Sequence, residues 1–303
     1  MSTFNTRARL FILGAMLTIG VIDVFVASIS QVMGLWQLLL LRAVCMIPLA
    51  LLCARLFHLG RLEVGQWRWV VLRSALFGTG LSIYFGALGV MPLAQALAGM
   101  YASPIFVALI TLFFLRSAIG PVRVGAAVLG FCGILMVQKL NITQVHPSVF
   151  AALSAGFLYA CAAIITRQRC AGESALTLVV AMVAVQGIWG VLGLMTVSVI
   201  DPALLAGLPE YLSRGWVWDV SAVQNELILQ MFGSVLITVF VTKAYQLGET
   251  AEIAVLENTV FVFGPFFAFL WLGQVIDVVQ MIGIGVIVMA SATISLRTQR
   301  AER

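Results

Sequence analysis

The sequence predicts an all-α polytopic membrane protein. Of its 303 residues, 62% are hydrophobic and only 10% are charged, whereas about a quarter of the residues in a soluble domain carry a charge. Apolar runs long enough for transmembrane helices, about 17–25 residues, follow one another along the chain. The basic residues are dispersed between these runs, so the net charge of +5 does not indicate nucleic-acid binding.

Ten spans are predicted from these runs. The third and fourth are divided at the corner Val90-Met91-Pro92, because together they are too long for one crossing and Pro92 suits the first turn of a new helix. The predicted spans are about 10–29, 35–54, 69–90, 92–115, 121–138, 148–167, 175–198, 226–246, 250–272 and 276–296.

The distribution of Lys and Arg predicts that both termini are cytoplasmic, since cytoplasmic loops of membrane proteins are enriched in these residues. Only Lys139 and Arg214 fall on the outer side of such a chain, and Arg42 lies within the membrane. The cytoplasmic side receives 14 of the 17 basic residues: Arg7, Arg9, Arg55, Arg61, Arg68, Arg73, Arg116, Arg123, Arg167, Arg169, Lys243, Arg297, Arg300 and Arg303.

The ten spans divide into two halves of five, residues 1–140 and 147–303. Because five is odd, related halves would have opposite orientations in the membrane. Leu88-Gly89 closes the third span as Leu247-Gly248 closes the eighth, and each is followed by an Ala-rich and then a Phe-rich stretch. We therefore predict two inverted repeats, an architecture common among transporters, with the substrate site where the halves meet.

One long outer loop, residues 200–225, joins the seventh and eighth spans. It contains Trp216 and Trp218 beside several acidic residues. Paired tryptophans next to a polar stretch favour a segment lying at the membrane interface, where amphipathic rings prefer to sit. The alternative is that the loop covers the outer mouth of the protein.

The sequence contains LLLLRAVCMIPLALL around Arg42, ASPIFVALITLFFL around Pro104, and the segment 254–274 followed by MIGIGVIVMASATI. These three stretches resemble the EamA-like branch of the drug/metabolite transporter superfamily. The resemblance covers almost the whole chain and implies the ten-helix, inverted-repeat fold of that family. Two positions depart from its pattern, which often has Glu at the ends of the fourth and ninth helices where this chain has Arg116 and Gln274.

Asp23 and Arg42 are ionisable residues within the first two spans, each about 10 Å below the outer surface at 1.5 Å per helical residue. The two helices are antiparallel and joined by a short loop, so the side chains could meet. One interpretation is a structural ion pair that offsets two costly buried charges. The other is that Arg42 anchors an anionic group of the substrate, with Asp23 as its counter-ion or gate.

Glu257, followed by Asn258, lies near the start of the ninth span. A carboxylate at such depth is costly and normally faces a cavity or a partner, although the headgroup region is the simpler alternative. Since no cation is predicted at the same depth, Glu257 is the candidate for a protonatable coupling residue or for a residue that recognises a cationic substrate.

Further polar and aromatic residues within the spans are candidates for substrate contacts. Each could instead serve helix packing. In the family that the sequence resembles, the first, third, fourth, sixth, eighth and ninth helices tend to line the central cavity. This resemblance favours Tyr84, Tyr101 and Tyr159 as substrate contacts. The complete set of predicted substrate-binding residues is Asp23, Arg42, Tyr84, Tyr101, Tyr159, Gln186, Trp189, Glu257 and Asn258.

The resulting functional prediction is a secondary active transporter that moves a small organic metabolite, such as an amino acid or another zwitterionic or cationic compound, by alternating access. A multidrug or toxic-metabolite exporter of the same fold is the alternative. An intramembrane enzyme or a channel is disfavoured, because the sequence shows neither a catalytic metal motif nor rings of like charge. No cofactor or nucleic acid is expected. The expected partners are the substrate, the lipid bilayer, and protons or an exchanged metabolite, for a monomer or homodimer of the bacterial inner membrane.

Overall fold

The computed structural model of the protein describes residues 4–57, 62–113, 121–139, 147–248, 253 and 255–302. Within these ranges every regular element is a helix, which confirms the predicted all-α fold class. Arg61, Arg116 and Arg303, three of the residues on which the predicted topology rests, lie outside them.

The helices are α1 (Phe4–Val32), α2 (Leu35–Phe57), α3 (Trp67–Leu88), α4 (Leu93–Met100), α5 (Ser103–Phe113), α6 (Pro121–Val137), α7 (Pro147–Arg169), α8 (Ala175–Val199), α9 (Pro202–Leu205), α10 (Glu210–Ser213), α11 (Gln224–Leu247), α12 (Val260–Leu272) and α13 (Val278–Glu302), with 3₁₀ turns at Ser221–Val223 and Glu257–Thr259.

Seven segments in these ranges are long and apolar enough to cross a membrane, and three shorter apolar helices accompany them. The shorter ones are Val124–Val137, Glu257–Leu272 and Val278–Ile294. Together they occupy the positions of the ten predicted spans. The protein is therefore an integral membrane protein.

The fourth predicted span is interrupted, whereas its apolar run suggested one continuous helix. α4 ends at Met100 and α5 begins at Ser103, with a turn at Tyr101 between them. The cause is Pro104, since a proline ring collides with the carbonyl group four residues earlier. The ninth span is also irregular, because a 3₁₀ turn at Glu257–Thr259 precedes α12.

The main helix contacts join the first half of the chain to the second half. α1 packs on α11 and α12, and α7 packs on α3, α4 and α5 in the same manner. α2 packs on α8, and α6 packs on α13. A side chain at Gly133 of α6 would begin 2.8 Å from the carbonyl oxygen of Gly283 on α13. Small residues thus allow close approach of these two helices.

The connection between α8 and α11 is folded against the ends of other helices. Tyr211 is only 3% exposed, and the indole Nε1 of Trp36 donates a hydrogen bond of 2.8 Å to the carbonyl oxygen of Leu212. Trp218, in contrast, is 88% exposed. The preferred interpretation of this loop as an interfacial segment therefore suits Trp218, but Tyr211 covers the bundle.

Candidate functional site

A cavity of about 1200 Å³ lies within the helical bundle. Residues of α1 to α5 line it together with residues of α7, α8 and α11. Its lining includes Arg167 and Gln168, which are exposed at the end of α7, so the cavity reaches the protein surface there. Asp23 and Arg42, which are 6% and 3% exposed, line its deeply buried part.

Six of the nine predicted substrate-binding residues line this cavity. They come from six different segments of the chain, which the fold brings together around one space. These residues are Asp23, Arg42, Tyr84, Tyr101, Tyr159 and Glu257.

The other three predicted residues lie outside the cavity lining. Gln186 is completely buried, and neither of its side-chain amide atoms has a hydrogen-bond partner among the described residues. Trp189 donates a hydrogen bond of 2.8 Å from Nε1 to Oγ1 of Thr79. Asn258 uses Nδ2 to donate to the carbonyl oxygen of Val255, 3.1 Å away, within its own turn.

Asp23 and Arg42 share the cavity, but no salt bridge joins these two described residues, so the structure lacks the ion pair that was one of the two interpretations. The carboxylate oxygen Oδ2 of Asp23 instead accepts a hydrogen bond of 2.5 Å from the hydroxyl group of Tyr84. The sequence analysis expected that the two side chains could meet, and the structure places both on one cavity. The sequence did not reveal that each charge has a neutral partner on another helix.

Arg42 is held by three residues that the sequence analysis did not single out. Its Nη1 donates to Oε1 of Gln230 and, at 3.0 Å, to Oγ of Ser234, both on α11. Its guanidinium group lies over the ring of Phe85, with the carbon Cζ 4.1 Å from the ring centroid. The available signal was the spacing of Gln230 and Ser234, two polar residues one helical turn apart in an apolar helix.

Glu257 has a tyrosine partner. The hydroxyl group of Tyr245, near the end of α11, donates a hydrogen bond of 2.9 Å to its Oε1. Both residues line the cavity, and within the described ranges no salt bridge involves Glu257. The 3₁₀ turn at Glu257–Thr259 positions this carboxyl group at the start of the ninth span.

Aromatic rings also line the cavity. The rings of Phe77 and Tyr159 are stacked with their centroids 4.6 Å apart, and the guanidinium group of Arg73 lies 5.0 Å from the centroid of Phe77. The sequence analysis assigned Arg73 only to the cytoplasmic flank of the third span. In the structure its side chain lines the cavity as well.

No group of three or more His, Cys, Asp or Glu side chains suited to a metal ion comes together in the part of the chain that the structure describes. The cavity offers hydrogen-bond donors and acceptors, three arginines, two carboxyl groups and aromatic faces. Such a set binds an organic molecule through charge, hydrogen bonds and ring contacts.

Residues 6–138 match the sequence profile of the EamA-like transporter family. The match confirms the resemblance noted from the sequence over that part of the chain. No curated protein matches the sequence.

Solved structures show a similar fold, and 21 of their chains match. One of them, titled "Crystal structure of protein", has 17% sequence identity and a TM-score of 0.64, and the match covers 99% of this chain and 100% of that one. At this identity the likeness shows the fold alone.

One of the two departures from the family pattern has a structural role. The side-chain oxygen Oε1 of Gln274 accepts a hydrogen bond of 3.0 Å from the backbone N–H of Leu93, the first residue of α4. It thereby satisfies an N–H group that has no partner within the helix. Arg116, the other departure, lies outside the described residues.

Proposed function

We propose that this protein is a secondary active transporter that carries a small organic metabolite across the membrane by alternating access. The observation that carries the proposal is the cavity, which enters the bundle from the end of α7 and stops at Asp23 and Arg42. A cavity that is open at one end and closed at the other is what a carrier presents between transport steps. The family match over residues 6–138 supports a transporter rather than an enzyme.

The proposal includes two inverted repeats, residues 1–140 and 147–303. The helix contacts support it, because exchanging the halves converts one set into another. The exchange replaces each span by its counterpart five spans away, so a contact between the first and eighth spans becomes one between the sixth and third. Both contacts occur: α1 packs on α11, and α7 packs on α3. The contacts of α2 with α8 and of α6 with α13 are unchanged by the exchange. The family match over 6–138 also ends near the proposed boundary.

The charges along the cavity favour a zwitterionic or cationic metabolite. Asp23 and Glu257 supply carboxyl groups and Arg42 supplies a cation, while Tyr159 and its neighbours offer aromatic surface. Glu257 is the proposed coupling residue, since a carboxyl group beside a cavity can take up and release a proton as access changes.

In the proposed topology both termini are cytoplasmic and the protein resides in a bacterial inner membrane. Arg167 then lies on the cytoplasmic side, so the structure corresponds to a conformation open to the cytoplasm. The segment containing Tyr211 closes the opposite end by packing over the bundle.

Counterflow in proteoliposomes tests the proposal. Vesicles loaded with an extract of bacterial metabolites are diluted into labelled members of the same mixture, and uptake is followed with and without the internal load. A carrier accumulates label transiently and saturates, and only when the load is present. Uptake that is linear in concentration and independent of the load would indicate a channel and contradict the proposal.

A further inference from the structure

The guanidinium group of Arg42 has one occupied side and one unoccupied side. Both hydrogen bonds that it makes within the described ranges leave from Nη1, to Gln230 and Ser234. Its Nε is buried and has no acceptor among the residues that the structure describes. The edge formed by Nε and Nη2 is the part of an arginine that binds a planar carboxylate through two parallel hydrogen bonds.

The geometry points to this edge of Arg42 as a carboxylate subsite at the closed end of the cavity, with Gln230 as the residue that positions it. This inference rests on the proposed transport function, because the carboxylate belongs to the transported molecule. Gln230 and Ser234 hold Nη1 from α11, and Phe85 supports the face of the group at 4.1 Å. The orientation of the edge is thus fixed before a ligand arrives.

The charge balance around Arg42 agrees with an anionic ligand. A buried cation normally has an anionic partner, because the desolvation cost is otherwise uncompensated. The groups that accept from Arg42, on Gln230 and Ser234, are neutral. The Asp23 carboxylate acts on Arg42 electrostatically but forms no salt bridge with it among the described residues, and it accepts its hydrogen bond from Tyr84. Gln230 also has a buried Nε2 group without an acceptor in the described part of the chain, which adds a second unpartnered donor beside Arg42.

Arg73, the arginine nearer the mouth, provides an internal comparison. Its Nε donates to Oγ1 of Thr166 at 3.1 Å, and its Nη1 donates to the carbonyl oxygen of Leu178 at 3.0 Å. The Nε side of Arg73 is therefore already occupied by the protein. Of these two arginines, Arg42 is the one whose Nε has no acceptor among the described residues.

A carboxylate fits this end better than a phosphate. One arginine supplies one positive charge, which matches a carboxylate, whereas phosphate groups carry close to two negative charges at neutral pH. Asp23 in the same end of the cavity adds a negative charge that would repel the more highly charged group.

The test compares binding of matched ligands to the full-length protein. The probes are benzoate, phenylacetate, 3-phenylpropanoate and phenylalanine, each with its amide and its phosphonate analogue, measured by calorimetry and thermal shift. We expect the carboxylate of at least one set to bind about tenfold or more tightly than its amide and its phosphonate, since hydrogen bonds to charged groups are the stronger ones.

Variants test whether Arg42 is the source of the preference for carboxylates over amides. Arg42→Gln should reduce the carboxylate-to-amide ratio to about one. Gln230→Glu should do the same in a protein that is at least as stable as wild type, because the new carboxylate pairs with Nη1 of Arg42 and neutralises the charge that attracts the ligand. This result separates positioning from a merely structural role. Arg73→Gln is the matched control and should keep the ratio.

Several outcomes would overturn the inference: equal binding of amide or phosphonate in every set, no binding of any carboxylate, or a ratio that survives Arg42→Gln. If counterflow is present in such a protein, the transport proposal stands without the subsite. If carboxylates bind through Arg42 but counterflow is absent, the subsite stands and the transport proposal fails.

Discussion

Gln37 and Val217 exchange two hydrogen bonds. The side-chain Nε2 of Gln37 donates to the carbonyl oxygen of Val217 at 2.7 Å, and its Oε1 accepts from the backbone N–H of Val217 at 2.9 Å. Thr177 makes an equivalent pair with the backbone of Glu63, at 2.8 and 3.1 Å. Each clamp therefore fastens the start of the second helix of one proposed repeat to the segment that precedes the third helix of the other repeat.

The pair of hydrogen bonds between Gln37 and Val217 should contribute measurably to the stability of the protein. We expect Gln37→Leu to destabilise the protein by about 1–3 kcal/mol, because both backbone groups of Val217 lose their partner. Thermal unfolding of the purified protein checks this. Gln224→Leu, an exposed glutamine near the same segment, is the control and should unfold like wild type. Equal stability of the two variants would mean that Gln37 does not hold the segment.

The side chain of Asp23 should be stabilised mainly by Tyr84 rather than by Arg42. Tyr84→Phe removes the hydroxyl group that donates to the buried carboxylate of Asp23. We therefore expect the free energy of unfolding to fall by about 1–3 kcal/mol. In a double-mutant cycle Tyr84→Phe and Asp23→Asn should be non-additive, whereas Arg42→Gln and Asp23→Asn should show a smaller coupling. Stronger coupling of Asp23 to Arg42 would restore the ion-pair interpretation.

A change at Glu257 should affect accumulation of substrate and its exchange differently. Glu257→Gln keeps the shape and removes the charge, so a proton-coupled carrier should lose gradient-driven uptake and retain counterflow. Transport in proteoliposomes with and without an imposed pH gradient measures both. Tyr245→Phe removes only the hydrogen bond to Glu257 and should retain gradient-driven uptake.

Two other results are informative for Glu257. Loss of substrate binding in Glu257→Gln would assign the residue to recognition of a cationic group. Wild-type accumulation, exchange and pH dependence in this variant would contradict any transport role for Glu257.

The predicted topology can be tested at two glycines with open surroundings. A side chain at Gly172, in the α7–α8 loop, or at Gly215, in the α8–α11 connection, would meet no atom within 4 Å. In a cysteine-free background, an impermeant thiol reagent applied to intact cells should label Gly215→Cys and spare Gly172→Cys. The reverse pattern would invert the topology, and labelling of a cysteine at Gln299 from outside would contradict cytoplasmic termini.

The sequence was sufficient for features that depend on nearby residues. Span positions follow from apolar length, and the corner at Pro92 follows from a local helix signal. The structure makes Pro92 the N-cap of α4, immediately after the turn that ends α3. The interruption at Tyr101 was also encoded locally, by Pro104, but the continuous apolar run masked it.

The partners of the charged residues could not be predicted in the same way. Gln230 is 188 residues from Arg42 along the chain, and Tyr84 is 61 residues from Asp23. Such contacts depend on which helices pack together and with what rotation. Equal depth made an Asp23–Arg42 pair plausible, but depth alone does not fix the direction of either side chain.

The most direct measurement of the central proposal is the accessibility of one cavity residue from both sides of the membrane. Leu81, on α3, lines the cavity, and Leu81→Cys can be labelled in right-side-out and inside-out vesicles of the cysteine-free protein. Alternating access predicts reaction from the side where α7 ends, which is cytoplasmic in the proposed topology, and also from the outside while exchange is running, with transport substrate changing the two rates in opposite directions. Reaction from the cytoplasmic side alone, in a protein that still performs counterflow, would contradict the account.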